Sequence, residues 1–123
     1  MAAVLLVEDE VDIQRLLGFI LKDVADSLLP VASLAEAREV VEREAIDLVL
    51  LDLWLPDGSG YEFLAELRRQ AGTREIPIVV LTAHAQPEEQ QRGLDLGATA
   101  VITKPFEPQA LRKRVKTLLA APN

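Results

Sequence analysis

Cysteine is absent from the 123-residue chain, which excludes disulfides and thiolate metal centres and leaves a reducing compartment comfortable. Basic charge is in deficit: 13 Lys and Arg stand against 20 Asp and Glu, for a formal net charge of -7. That balance repels phosphate backbones and anionic bilayers, so no direct nucleic-acid binding and no membrane attachment are expected, and any DNA contact would need a separate domain. No window approaches the length of apolar run that a helical membrane span requires. The opening "MAAVLLVEDE" lacks a basic leader segment and reaches acids at residue 8. A cytoplasmic protein is the expectation. Histidine is represented only by His84, and a lone imidazole without a partner is not read as a ligand, so it receives no catalytic role.

What is present is a regular alternation. Short apolar runs, "AVLLV" (3–7), "LLPVA" (28–32), "DLVLL" (47–51), "IPIVVL" (76–81) and "AVIT" (100–103), are too short for helices and read as strands. Between them, Ile13, Leu16, Leu17, Ile20, Leu21 and Val24 recur at helical spacing, as do Leu34, Ala37, Val40 and Val41. Ser33 with Glu36, and Ser59 with Glu62, fit capping boxes. Pro87 and Pro108 suit first helical turns, and Gly97 suits a helix C-terminus that needs positive φ. The last helix carries Leu111, Val115, Leu118 and Leu119 on one face. Five βα units imply an α/β fold, a parallel five-stranded sheet covered on both faces in a three-layer (βα)5 sandwich. Pro30 cannot donate to a ladder from a central position, which sends the second strand to an edge and fits a flavodoxin-like order, 2-1-3-4-5. One domain, residues 1–123, is expected to fill the chain.

Polar residues follow the buried runs: Glu8 and Asp9 after the first, Asp52 after the third, Thr82 after the fourth, Lys104 after the fifth. In a parallel sheet these tips share one edge, where ligands bind at the switch point between strands 1 and 3. Singly each has an ordinary reading: a solvated loop acid, a turn former, a strand threonine, a surface lysine. Together on one edge they point to chemistry. Carboxylates repel by about 4 kcal/mol per pair at ~4 Å for an effective dielectric near ~20. Lys104 offsets part of this, and an all-oxygen site without His or Cys is the donor set that Mg²⁺ takes. Acids, a hydroxyl and a lysine around such an ion suit phosphoryl transfer, with Asp52 as the nucleophile. Gly58 and Gly60 read as turn residues, since their spacing is not that of a P-loop.

The segments "VEDE", "LLDLWLPDGSGYEFL", "VVLTA" and "GATAVITKPF" resemble, in order and over nearly the full length, the receiver domain of bacterial two-component response regulators. The resemblance implies that Glu8 and Asp9 are the acidic metal pair for Mg²⁺, Asp52 the phosphoacceptor, Thr82 the switch hydroxyl and Lys104 the phosphate-binding lysine. It also implies that the backbone carbonyl of Trp54 completes the metal shell, and that Lys104–Pro105 is the family's usually cis peptide. The implied partners are a sensor histidine kinase or histidine phosphotransfer protein as donor, and an output domain or target protein engaged through helix 4, strand 5 and helix 5. A phosphorylation-dependent dimer belongs to the same picture. Such a domain is not a free-standing enzyme; it catalyses only its own phosphorylation and dephosphorylation. The chain departs from the family at the switch aromatic, where Val101 stands, and Ala100 replaces an acid found in the winged-helix transcription-factor class. Asp95 and Arg114 do match that class's dimer-face charges.

Two other functions compete. A constitutive receiver-like interaction domain that is never phosphorylated is opposed by the intact Asp52, Thr82 and Lys104. A phosphatase of the haloacid dehalogenase type wants an acid two residues after its nucleophile, and that position is Trp54.

Overall fold

The computed structural model describes residues 2–83 and 86–120; His84, to which no role was given, lies outside them. The main sheet has five strands, β1 (Ala3–Val7), β2 (Ser27–Val31), β3 (Leu48–Asp52), β4 (Ile78–Thr82) and β5 (Ala100–Thr103). Its helices are α1 (Val11–Leu21), α2 (Leu34–Arg43), α3 (Gly60–Arg69), α4 (Pro87–Asp95) and α5 (Pro108–Ala120). All neighbouring strands are parallel and the order is β2-β1-β3-β4-β5, the flavodoxin-like arrangement expected. Pro30 lies in the edge strand β2, where a missing N–H costs no ladder bond on the solvent side.

Side chains alternate across a strand, and this sorts the core into two layers. Leu5, Val7, Val49, Leu51, Ile78 and Val80 pack with Leu34, Ala37 and Val40 of α2 and with Phe63, Leu64 and Leu67 of α3. Val4, Leu6, Leu48, Leu50, Val79 and Leu81 pack on the other face, with Leu17, Ile20 and Leu21 of α1 and Leu111 and Val115 of α5. β1, β3 and β4 are buried almost throughout, as their Val- and Leu-rich runs require, whereas the edge strands β2 and β5 are only partly covered. Leu16 departs from the expected stripe and is 41 % exposed. It lies about 90° around α1 from the centre of the arc formed by Ile13, Leu17, Ile20 and Leu21, beyond what the sheet covers.

Local punctuation accounts for most boundaries. Ser33 caps α2, its Oγ accepting from Glu36 N at 3.2 Å and donating to the Glu36 carboxylate at 3.2 Å. Pro87 opens α4 and Pro108 opens α5, while Gly97 takes φ +110 just past α4. Ser59 caps α3 through Tyr61 N at 3.1 Å, so Glu62 is not its partner as the box pattern suggested. β1 and β5 coincide with their apolar runs, whereas β2, β3 and β4 are offset from theirs by a residue or two. β3 therefore ends on Asp52 and β4 on Thr82, making both residues the last rung of a ladder.

Between β3 and α3 the chain forms an unexpected small hairpin, Trp54–Leu55 against Gly58–Ser59. Gly58 takes φ +147, a backbone state that side chains disfavour, and its neighbour Asp57 reaches across to α2. The Asp57 carboxylate accepts from Leu34 N at 2.9 Å and Ala35 N at 3.0 Å, supplying the first turn of α2 with two acceptors from outside the helix.

Candidate functional site

Register decides which side chains meet at the C-terminal edge. Val7 pairs with Leu51 and Val31, so Glu8 stands one step past the β1–β3 ladder, level with Asp52. Asp52 pairs with Leu81, and Thr82 with Thr103, so Lys104 follows one step beyond β5. The two-residue alternation continues past the strands: Leu6 and Glu8, Leu50 and Asp52, Ile102 and Lys104 share the parity of the α1–α5 layer. Two acids and a lysine far apart in sequence thereby converge on one side of one edge.

The geometry is close. Lys104 Nζ donates to Glu8 Oε1 at 2.7 Å and to Asp52 Oδ2 at 3.3 Å. Asp52 Oδ1 accepts from Trp54 N at 3.1 Å, and Glu8 Oε2 from Glu10 N at 3.2 Å. Gln14 of α1 closes the floor, its Nε2 donating to the carbonyls of Glu8 at 2.6 Å and Val31 at 3.1 Å. Glu8 is 1 % and Asp52 6 % exposed, while Asp9 is more open to solvent. Oxygen atoms of Glu8, Asp9 and Asp52 lie within 4.8 Å of one another. Three carboxyl groups offering only oxygen donors, two of them anchored on buried strand ends, fit a hard divalent cation such as Mg²⁺. The Trp54 main chain is held against this cluster by its N–H; the indole is half exposed.

Electrostatics reflect the crowding. Burial pushes the Glu8 carboxyl above its ordinary range, and the charge of Asp52 adds to the rise, against the lowering pull of the Lys104 and Glu10 hydrogen bonds. For Lys104 burial acts to lower the ammonium, yet the hydrogen bond to Glu8 and the charges of Asp52 and Glu8 outweigh it and the net shift is upward. The lysine is thus locked in its charged form, and its acids share one counter-charge.

The remaining sequence candidates fall around this centre. Thr82 is fully buried at the end of β4, and its carbonyl accepts from Lys104 N at 2.7 Å. The Lys104–Pro105 peptide is cis. Val101 has the opposite parity to Lys104 and packs with the α2–α3 layer, where its Cγ2 would stand 3.1 Å from a Cβ added at Gly93 of α4, a tight fit. Gly60, read as a turn residue, is the first residue of α3. A Cβ there would stand 2.8 Å from the Asp52 carbonyl oxygen and from Leu53 Cα, so only glycine lets α3 start against the end of β3.

Two residues escaped the sequence reading. Asp57 was given no role, and nothing local indicates that its targets lie 22 and 23 positions earlier. Tyr61 was not considered, although an isolated phenol in a helix's first turn is a signal, since a buried hydroxyl needs a partner. It is 3 % exposed and donates to the Glu89 carboxylate of α4.

Comparison with known proteins agrees with this arrangement. The family described as response regulator receiver domain matches residues 4–116. The phosphate regulon transcriptional regulatory protein PhoB of Escherichia coli K12 is 39 % identical over 116 residues, covering 94 % of this chain and 51 % of that protein. The chain therefore spans about half the length of such curated relatives. Among solved structures, a putative response regulator from Chloroflexus aurantiacus superposes with a TM-score of 0.91 at 31 % identity, covering 98 % of both chains. The chemotaxis response regulator CheY4 of Vibrio cholerae gives 0.88 at 31 % identity, covering 96 % of this chain and 98 % of that one. The parallel five-stranded sheet is thus shared with response regulators of known structure, and the chain belongs to the response regulator receiver domain family.

Proposed function

We propose that residues 1–123 form one receiver domain that acts as a phosphorylation-controlled switch of a two-component or phosphorelay system, with Asp52 as the phosphoacceptor. The observation that carries this reading is the Lys104 ammonium held between Glu8 and Asp52, with Asp9 completing the acidic cluster. A histidine kinase or histidine phosphotransfer protein is the donor. A carboxylate oxygen of Asp52 bonds to phosphorus as the phosphorus–nitrogen bond of the phosphohistidine breaks, and the departing imidazole keeps the nitrogen electron pair and takes up a proton.

Glu8, Asp9, Asp52 and the Trp54 carbonyl would hold Mg²⁺, which supplies positive charge for the developing phosphoryl oxygens. Asp9, the more open acid, is the direct ligand, whereas Glu8 is engaged by Lys104 and orients the others. Lys104 and the Thr82 hydroxyl bind the phosphoryl oxygens once transferred, at about 1.5–3 kcal/mol for each charge-assisted bond. Output follows through α4, β5 and α5. Their faces frame a largely apolar groove of about 410 Å³ that includes Leu94, Val101, Ile102, Leu111 and Arg114, suited to an output domain, a target protein or a second copy in a phosphorylation-dependent dimer.

Incubation with acetyl phosphate and Mg²⁺ followed by intact-mass measurement tests the reading. The expected result is a single phosphoryl adduct that is lost in Asp52→Asn and is formed more weakly by Asp9→Ala at limiting Mg²⁺. An adduct that persists in Asp52→Asn would overturn the assignment.

A further inference from the structure

α4 is poorly secured by burial: of its nine residues only Gly93 is buried, and Leu94 is 44 % exposed. Its position is therefore set by specific fastenings. One is the close approach of Gly93 to Val101, where an added Cβ would stand 3.1 Å from Val101 Cγ2; it supplies no polar bond. The other is Tyr61. The buried phenol donates to the Glu89 carboxylate, while the Arg92 guanidinium lies over the ring at 4.1 Å from its centroid. Glu89 and Arg92, three residues apart, project from the same face of α4 and hold Tyr61 from two sides. Burial and the Glu89 bond push the Tyr61 hydroxyl up to about 12, so the phenol remains a donor at all ordinary pH values.

The other end of this fastening is the acceptor loop. Tyr61 is the second residue of α3, and its N–H is held by Ser59 Oγ. The preceding Gly60 donates its N–H to Leu53 O at 2.9 Å and sits against the Asp52 carbonyl more closely than any Cβ allows. From Asp52 to α4 there are thus two covalent neighbours, Gly60 and Tyr61, and one charge-assisted hydrogen bond.

We propose that Tyr61 is a positioning residue that ties α4 to the backbone of the acceptor loop, so that events at Asp52 reach the α4–β5–α5 face through the Tyr61–Glu89–Arg92 contact. This rests on the reading of Asp52 as phosphoacceptor. Val101 is the passive wall behind α4: a β-branched side chain, stiff at χ1, close enough to Gly93 that an added Cβ would crowd it. A packed chain of this kind transmits only where it has two arrangements, and the weakly buried α4 is the element able to move.

Tyr61→Phe tests this, because it keeps the ring, the buried volume and the Arg92 contact while removing the hydroxyl. Hydrogen exchange is measured on the wild type and the variant, each with and without beryllofluoride and Mg²⁺, and binding is followed independently by Trp54 fluorescence. In the wild type, beryllofluoride is expected to alter exchange at residues 87–95. In Tyr61→Phe it is expected to bind within about twofold of the wild-type affinity, while the change at 87–95 shrinks by about tenfold, the factor carried by one charge-assisted hydrogen bond. Full retention of the α4 response in the variant overturns the proposal, as does a wild type that binds beryllofluoride with no change in α4. If beryllofluoride does not bind the wild type at all, the phosphoacceptor reading is what fails. The fastening is then judged in the ligand-free proteins: exchange at 88–95 about tenfold faster in Tyr61→Phe supports it, and equal exchange refutes it.

Discussion

The two ends of the sheet each hold a half-buried cation, and they use it in opposite ways. At the C-terminal edge Lys104 faces the carboxylates of Glu8 and Asp52. At the N-terminal edge Arg68 of α3 faces neutral oxygens: its Nε donates to Gly97 O at 2.8 Å, its Nη1 to Ile76 O at 2.6 Å and Arg74 O at 3.0 Å, and its Nη2 to Thr99 Oγ1 at 3.4 Å. Burial alone lowers the Arg68 guanidinium, whereas acidic neighbours raise Lys104 despite burial. Arg68 places four of its five N–H donors on loops that precede β4 and β5, which is a structural use. Lys104 is one ammonium shared between acids that repel each other, which leaves the pocket electrostatically incomplete and receptive to further positive charge. One end is satisfied; the other is kept in tension.

The sharpest way to break this contrast is Arg68→Ala. It removes four hydrogen bonds and leaves main-chain carbonyls without their donor, so unfolding in urea should be easier by about 3 kcal/mol, while acetyl phosphate labelling of the folded fraction is unchanged. Arg68→Lys should recover little, because a single ammonium cannot reach the same oxygens.

Lys104→Ala is expected to show the reverse pattern: a stability change below about 1.5 kcal/mol near neutral pH, because the already raised Glu8 carboxyl can take up a proton in place of its lost partner, with phosphorylation-dependent partner binding lost. The small stability cost has a pH signature. Glu8 already binds its proton more tightly folded than unfolded, so lowering the pH toward its ordinary value of 4.5 stabilises the fold, and losing Lys104 steepens that gain. Because the Lys104 value is raised in the fold, the contribution of its charge is complete below its ordinary value of 10.5 and is lost as pH rises through the folded value. The alkaline limb of the wild-type stability curve should therefore be steeper than that of the variant. Chemical denaturation midpoints from pH 4.5 to 11 check both limbs, and parallel curves would show that the two ends of the sheet do not differ in this way.

Asp57→Asn gives the smallest effect and separates the acceptor loop from both ends. Hydrogen bonds from Leu34 N and then Ala35 N hold the Asp57 carboxyl below its ordinary 3.8, so its contribution is present above that value and fades as pH falls through the folded value. The variant should have a slightly lower melting midpoint at pH 6 and a flatter acid limb than the wild type. An unchanged acid limb would show that the loop is not held to α2 by charge.

Much of this was legible in the chain. The five apolar runs, Pro30, Ser33, Pro87, Gly97 and Pro108 each act through local backbone rules, and the sheet order follows from alternation and one proline. Asp52, Glu8 and Lys104 could be assigned to one edge because parallel strands must end together. Boundaries were less legible: the apolar runs began one or two residues before β3 and β4, because hydropathy does not mark where ladder pairing begins, and Asp47, which is exposed, and Ile76 and Pro77, which are half-buried, precede the strands. Glu62 failed as the partner of Ser59 because Tyr61 N lay nearer the hydroxyl.

By itself, then, the sequence determined the element order, the edge on which the polar residues gather and the family, because periodicity, capping and strand direction are properties of neighbours along the chain. Only the tertiary structure decided that Lys104 binds Glu8 more closely than Asp52, that Asp57 caps a helix 22 residues upstream, and that Tyr61 meets Glu89 and Arg92. Those contacts depend on how helices seat on a twisted sheet to within an ångström, a distance set by the packing of the whole core.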